Sequence, residues 1–249
     1  MPSLSLTIVH LSDCHLFANT EQCGNGAINP YISLQSVLAK IAVLQADLVI
    51  ASGDISGDES VHSYQHFQQL WRESTIRAPL MVLPGNHDNE CLLADVLSKE
   101  YNWPTSLSLA PHWQVHGLNS KATGTQGSVS DQQLSTLAQQ LKAHPDIYHL
   151  IAVHHHPIAC GGWMDAHSWH NREGFMDLVA CHPQVKAVVY GHIHHASEQM
   201  RQDCRFLSVP STCWQWANQA EFACSGESPG YRVLTLYPDG QLSSQVERI

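Results

Sequence analysis

Leu6-Thr7-Ile8-Val9-His10-Leu11-Ser12-Asp13-Cys14-His15 begins as an apolar, β-branched run and ends in an aspartate and a histidine two positions apart. Leu6 to Leu11 reads as a buried strand. The device recurs four times: Asp47 to Ser52 leads into Gly53-Asp54, Pro79 to Leu83 into Gly85-Asn86-His87-Asp88, His149 to Val153 into His154-His155-His156, and Val185 to Tyr190 into Gly191-His192-Ile193-His194. Parallel strands of an α/β sheet finish at one edge, where ligands bind. The five endings therefore bring Asp, Asn and His side chains to one place, although they are scattered between positions 13 and 194. These are metal-ligand residue types, and a binuclear metal centre is the natural inference.

Helical patterns separate these strands. Ser33 to Gln45 carries Leu34, Val37, Leu38, Ile41 and Leu44 on one face, and Ser60 to Glu73 follows the second strand, so the alternation is βαβ. Further helices are predicted over Asn89 to Tyr101, from the capping box Ser130-Asp131-Gln132-Gln133 to Lys142, and over Arg172 to Cys181. Beyond His194 the texture changes to short strands, Arg205 to Val209, Tyr231 to Tyr237 and Gln241 to Glu247, with Pro238-Asp239-Gly240 as a hairpin turn. These are expected to build a second sheet packed on the first. The predicted fold is α/β, a four-layer α-β-β-α sandwich of two mixed sheets in a single domain spanning residues 1–249. Segments 24–30, 120–130 and 160–170 lack periodicity and are candidates for shaping a pocket.

Composition narrows the function classes. With 43% hydrophobic and 14% charged residues the chain has the make-up of a folded globular protein without internal repeats. No apolar run reaches the roughly 20 residues that span a bilayer, and the N-terminus lacks the pattern of a secretory signal, so a cytoplasmic protein without membrane contact is expected. The eight cysteines show no CxxC pairing and read as free thiols. Cys14, between Asp13 and His15, should point to the opposite face. A net charge of −10 argues against nucleic acid as a partner. An anionic substrate is still allowed, because bound metal ions are often the largest local charges in a site.

Asp13 and His15 are i and i+2, so on an extended backbone both project from one face and can grip one ion. His192 and His194 repeat the device, with Gly191 allowing a tight turn off the strand. Asp54 has two carboxylate oxygens and can bridge two metals. With Asn86 and one histidine of the run 154–156, these make seven donors, enough for two four-ligand sites that share Asp54 and leave room for water. Imidazoles, carboxylates and an amide oxygen form a borderline set that suits Fe, Mn, Zn or Co. A bridging hydroxide is then the expected nucleophile, since a metal lowers the pKa of its water from about 15.7 toward 7. His87, outside the ligand count, is free to stabilise phosphoryl oxygens or protonate a departing alkoxide. Asp88 is expected to orient a histidine ring. Most of the other histidines, such as His10, His116 and His149, read as core, surface or loop residues. Trp163, Trp169 and Trp214 are candidate platforms for a nucleotide base.

The ordered set D-x-H, G-D, G-N-H-D, H and G-H-x-H resembles the calcineurin-like metallophosphoesterase superfamily, and every block is intact. His10-Leu11-Ser12-Asp13-Cys14-His15-Leu16-Phe17, Tyr64-Gln65-His66-Phe67, Leu83-Pro84-Gly85-Asn86-His87-Asp88, His154-His155-His156-Pro157 and Pro210-Ser211-Thr212-Cys213 look like the bacterial class III 3′,5′-cyclic AMP phosphodiesterase branch. The resemblance implies His154 as the ligand of its run. It implies one metal on Asp13, His15, Asp54 and His194, and the other on Asp54, Asn86, His154 and His192. His87 and Asp54 take the catalytic roles, and His15, Asp54, Asn86, His87 and His194 meet the substrate. Two metal ions per chain are expected, Fe and Mn, with Zn or Co as alternatives. The implied reaction is hydrolysis of 3′,5′-cyclic AMP to 5′-AMP, lowering intracellular cAMP, by a monomer or homodimer. The alternative is another small phosphodiester or phosphomonoester, such as a 2′,3′-cyclic nucleotide or a nucleoside diphosphate derivative.

Overall fold

The computed structural model describes residues 5–97, 106–109 and 111–249. Its first half runs β1 (Leu6–Leu11), α1 (Pro30–Ile41), β2 (Leu48–Ala51), α2 (Val61–Glu73), β3 (Leu80–Val82), α3 (Glu90–Leu97), β4 (Ser106–Leu109) and β5 (Trp113–Gly117). It continues through α4 (Asp131–Ala143), β6 (Tyr148–Val153), α5 (Arg172–Ala180), β7 (Val185–Tyr190), β8 (Glu198–Arg201), β9 (Cys204–Ser208), β10 (Gly230–Leu236) and β11 (Leu242–Arg248).

The strands form two sheets, ordered β11-β10-β1-β2-β3 and β4-β5-β6-β7-β9-β8. Three apolar layers hold them together. Val9, Leu11, Val49 and Ala51 face α1 to α3 on one side. Ile151, Val153, Val188 and Tyr190 face α4 and α5 on the other. Between the sheets, Ile8, Ile50 and Met81 meet Val115, Leu150 and Val189. Strands covered on both faces read as continuous apolar runs, and each such side chain contributes roughly 1.5–3 kcal/mol on burial. This is the expected α-β-β-α sandwich of two mixed sheets.

The sheet membership differs from the expectation in one respect. The five ligand-bearing strands are divided, with β1, β2 and β3 in the first sheet and β6 and β7 in the second. The hairpin β10–β11 does not start a second sheet but completes the first, β10 running antiparallel to β1 in the register Leu6↔Leu236 to His10↔Arg232. β9 joins the second sheet beside β7. The two parallel edges lie face to face, so all five endings still meet.

Helix starts follow local chemistry. α1 begins three residues before Ser33, because the Asn29 side chain accepts the Ile32 N–H at 3.1 Å and Pro30 occupies the first turn. The helix ends at Ile41, short of Gln45. Ser130 caps α4 as its spacing predicts, and Ser60 caps α2. α3 is described to Leu97; residues 98–101 of the predicted helix lie outside the described residues.

Candidate metal centre and its cleft

The strand endings do not continue as extended backbone. Asp13, His15, Asp54, His192 and His194 have φ of 56°, 46°, 50°, 68° and 43°. Asp13 and His15 therefore come together through left-handed backbone, not through the extended backbone that their i, i+2 spacing suggests. Left-handed residues alternate along the loop and turn both side chains to the same side, while Cys14 packs into the core beneath α1 and α2. Each non-glycine residue held there costs about 1–3 kcal/mol, and here the cost is borne at the proposed ligands. The loop pairs with its neighbour through Asp13 N–H to Gly53 O and His15 N–H to Asp54 O, both 2.9 Å.

Gly191 serves close approach rather than a turn. It is absent from the left-handed glycines, and a Cβ there would collide with the Ser12 hydroxyl and lie 2.7 Å from Asp13 Oδ2. The close contact lets the His192 N–H donate to both Asp13 oxygens, at 3.2 and 3.0 Å. At Gly85 a Cβ would strike Asp54, so this glycine likewise lets two loops touch.

The donors converge. His154 Nε2 lies 3.4 Å from Asp54 Oδ2 and 3.2 Å from Asn86 Oδ1. His194 Nε2 lies 3.3 Å from Asp13 Oδ1 and 3.0 Å from His15 Nε2. His15 Nε2 is 3.7 Å from Asp54 Oδ2. Backbone carbonyls fix the far side of these rings: His154 Nδ1 donates to Ser52 O at 2.9 Å, His194 Nδ1 to Trp214 O at 2.8 Å, and His192 Nε2 to His167 O at 3.0 Å. Each of these imidazoles thus has its other nitrogen free as a ligand. His155 Nδ1 lies 2.8 Å from the Ser120 hydroxyl, and its ring packs against His154 and His192 at 4.9 and 4.5 Å. Within the 154–156 run, only His154 meets both Asp54 and Asn86.

The electrostatics call for positive charge in the middle. Burial resists ionisation of Asp54, but His154 and then His15 outweigh it and hold the carboxyl well below the usual range. Burial would lower His154, yet Asp54 overrides it and lifts the imidazole to about 9. The carboxylates thus favour positive charge beside His154. His192 is pushed well down, first by burial and then by His155 and His154. Buried carboxylate, amide and bare imidazole donors around one space fit a pair of borderline cations.

Asp88 departs from expectation. Its carboxylate accepts the N–H groups of Gly85, Ser56 and Ile55 at 2.8, 3.0 and 3.2 Å, and no histidine ring. Burial, reinforced by Asp54, raises its pKa to about 6. It ties the Asn86 loop to the Asp54 loop, a role closer to backbone than to imidazole.

Above the donors opens a cleft of about 300 Å³, floored by His15, Asp54, Asn86, His192 and His194. All three aperiodic segments contribute, through Asn25, Thr125, and the trio Trp163, Met164 and His167. Trp214 stacks on His15 at 5.1 Å and Trp216 on His194 at 4.9 Å. Trp216 escaped the sequence reading; its only signal is the i, i+2 spacing from Trp214. Trp169 does not reach the cleft: it stacks on Phe175 at 4.7 Å and donates to Asn171 at 2.7 Å. His87 is exposed at the mouth, edge-on to His15 at 5.0 Å, with its backbone N–H on Asp54 Oδ1 at 2.8 Å.

The profile of the calcineurin-like phosphoesterase family matches residues 6–196. The chain is 36% identical to the 3′,5′-cyclic adenosine monophosphate phosphodiesterase CpdA of Vibrio vulnificus (strain CMCP6), over 98% of this chain and 90% of that one. It is 34% identical to the protein of the same name from Escherichia coli (strain K12), over 97% and 89%. Among solved structures it resembles a dimetal phosphatase from Danio rerio, with a TM-score of 0.71 at 12% identity and 98% of each chain covered. That likeness is one of fold.

Proposed function

The chain belongs to the calcineurin-like phosphoesterase family, a family that implies two metal ions, and from that premise we propose that it hydrolyses 3′,5′-cyclic AMP to 5′-AMP. The observation that carries the reading is the meeting, at one cleft, of converging Asp, Asn and His donors and a tryptophan wall. The full-length similarity to proteins named for this activity supports the choice of substrate.

We assign one ion to Asp13, His15, Asp54 and His194 and the other to Asp54, Asn86, His154 and His192. Iron and manganese are our preferred pair; zinc and cobalt suit the same donors. When bound, the ions polarise the phosphoryl oxygens and activate the attacking water. Asp54 would serve both ions, its carboxylate held in place by the His87 N–H. Lys121 Nζ donates to the Asn86 carbonyl at 2.9 Å and steadies that loop. His87, free at the mouth, contacts the phosphoryl group and gives its proton to the 3′-oxygen as the P–O bond breaks. Trp214 and Trp216 offer faces to the adenine, while His15, Asn86 and His194 line the phosphate end.

The whole chain acts as one domain in this account, since β10 and β11 complete the sheet that β1 begins. No helix among the described residues is long and apolar enough to cross a membrane, and we place the reaction in the cytoplasm, on a soluble nucleotide, in a monomer or homodimer. Chromatography of the products of 3′,5′-cAMP tests the reading. Sole release of 5′-AMP is expected; 3′-AMP as the main product, or no turnover with any of the four metals, contradicts it.

A further inference from the structure

We propose that His156, Cys160 and Asp165 form a third metal site, for a zinc-class divalent cation, which fastens the loop walling the cleft. His156 follows the end of β6, is fully buried, and has no hydrogen-bond partner on either ring nitrogen among the described residues. Asp165 Oδ1 lies 3.6 Å from His156 Nε2, beyond hydrogen-bond reach. Buried polar groups without a partner are rare and ask for a reason, an ion among them.

The neighbours supply one. A His156 nitrogen, the Cys160 sulfur and an Asp165 oxygen lie within 4.8 Å of one another. Tetrahedral zinc, with bonds of about 2.0–2.2 Å to nitrogen and oxygen, sets such a pair about 3.4 Å apart, close to the separation seen between His156 and Asp165. The carboxylate is already aimed, because its two oxygens accept the N–H groups of Cys160 and Gly161 at 2.8 and 2.9 Å. Three protein ligands leave a fourth position for water. A thiolate selects zinc or cobalt over magnesium or manganese. On binding, the Cys160 S–H bond breaks, the proton leaves to solvent, and the sulfur electron pair passes to the cation.

The consequence reaches the cleft. Between Cys160 and His167 the loop carries Trp163 and Met164 into the wall, and the His167 carbonyl accepts from His192. His156 itself stacks on His192 at 5.6 Å. An ion on the three residues would bind this loop to the strand end that carries His154. The site stands on its own ligands and does not depend on the identity of the substrate.

Titration of the full-length protein with Co²⁺ separates the sites, because the seven cleft donors contain no sulfur. Near-ultraviolet thiolate-to-cobalt absorption is expected to saturate in the wild type and in Asp54→Asn, and to vanish in Cys160→Ser. Zinc loading followed by elemental analysis should give three ions per wild-type chain and one fewer in Cys160→Ser. If that variant fails to fold, Asp165→Asn should weaken the cobalt signal about 10-fold or more while circular dichroism stays unchanged. Absorption that persists in Cys160→Ser, through exposed thiols such as Cys23 or Cys181, overturns the site, as does its absence from the wild type. Either result leaves cAMP turnover as a separate reading, so the two proposals fail independently.

Discussion

Strand β6 carries histidines at both ends, and the two ends behave in opposite ways. At its start His149 Nδ1 meets His116 Nε2 at 2.8 Å, His149 Nε2 meets the His144 carbonyl at 3.0 Å, and His116 Nδ1 meets the Ser106 hydroxyl at 2.7 Å. Every ring nitrogen there has a partner, so the pair is a closed chain of hydrogen bonds in the core. At its finish, backbone carbonyls hold the outer nitrogens of His154 and of the neighbouring His194, while the inner ones face Asp54 and Asp13, with His194 Nε2 also against His15 Nε2. Burial is equal at the two ends; what differs is which way the free donors point. A cluster whose donors converge needs a cation, and one whose donors close on themselves does not.

Four substitutions probe this difference between the two ends. The largest effect is expected at Asp54, where Asp54→Ala should cut phosphodiesterase turnover by about 10⁴-fold, the scale seen when one member of an interdependent catalytic set is lost. Metal content should fall with it, and a fully active variant would remove the shared carboxylate from the account. Next comes His87→Ala, which should lower kcat by about 10²–10³-fold with metal content unchanged. Metal loss equal to that of Asp54→Ala would place His87 in the wrong role. Trp216→Ala should raise KM for cAMP roughly tenfold, in line with about 1–3 kcal/mol for base stacking, and change kcat far less. An unchanged KM would move the base to another wall.

The smallest effect sharpens the other end of the strand. Burial, and then His149, lowers His116 to about 4, below the 6.5 or so of an unfolded histidine. Above about pH 6.5 the group contributes no pH dependence; as pH falls toward 4, the unfolded chain takes up a proton that the native state refuses, and stability is lost. His116→Gln should therefore flatten the decline in urea-unfolding stability between pH 6.5 and 4.5 at fixed metal loading. An unaltered slope would mean that the pair titrates freely in the folded protein.

These ends also show what a sequence can carry. The convergent end was legible because ligand-type residues at short spacing close apolar runs, and five such endings share one sheet-edge logic. Sheet membership was not, since a doubly covered parallel strand reads the same in either sheet and only the pairing of β10 with β1 decides it. β5 was hidden because Gln114 and His116 interrupt its apolar pattern although both are buried, and β8 because an exposed Glu198–Arg201 edge has no buried face to betray it. Left-handed backbone at Asp13, His15 and Asp54 leaves only a weak trace, since Asp and His favour it more than most residues yet far less than glycine. Asp88 was misread for a related reason: the N–H groups it collects belong to turns that form only when two loops meet.

The decisive measurement is turnover of the metal-loaded protein against 3′,5′-cAMP, 2′,3′-cAMP, bis(p-nitrophenyl) phosphate and a phosphomonoester, with Fe, Mn, Zn and Co supplied in turn. Metal-dependent hydrolysis with clear preference for 3′,5′-cAMP is expected. Efficient cleavage of the aryl diester with indifference to 3′,5′-cAMP would contradict the assigned substrate, and activity undiminished by chelation would contradict the metal centre itself.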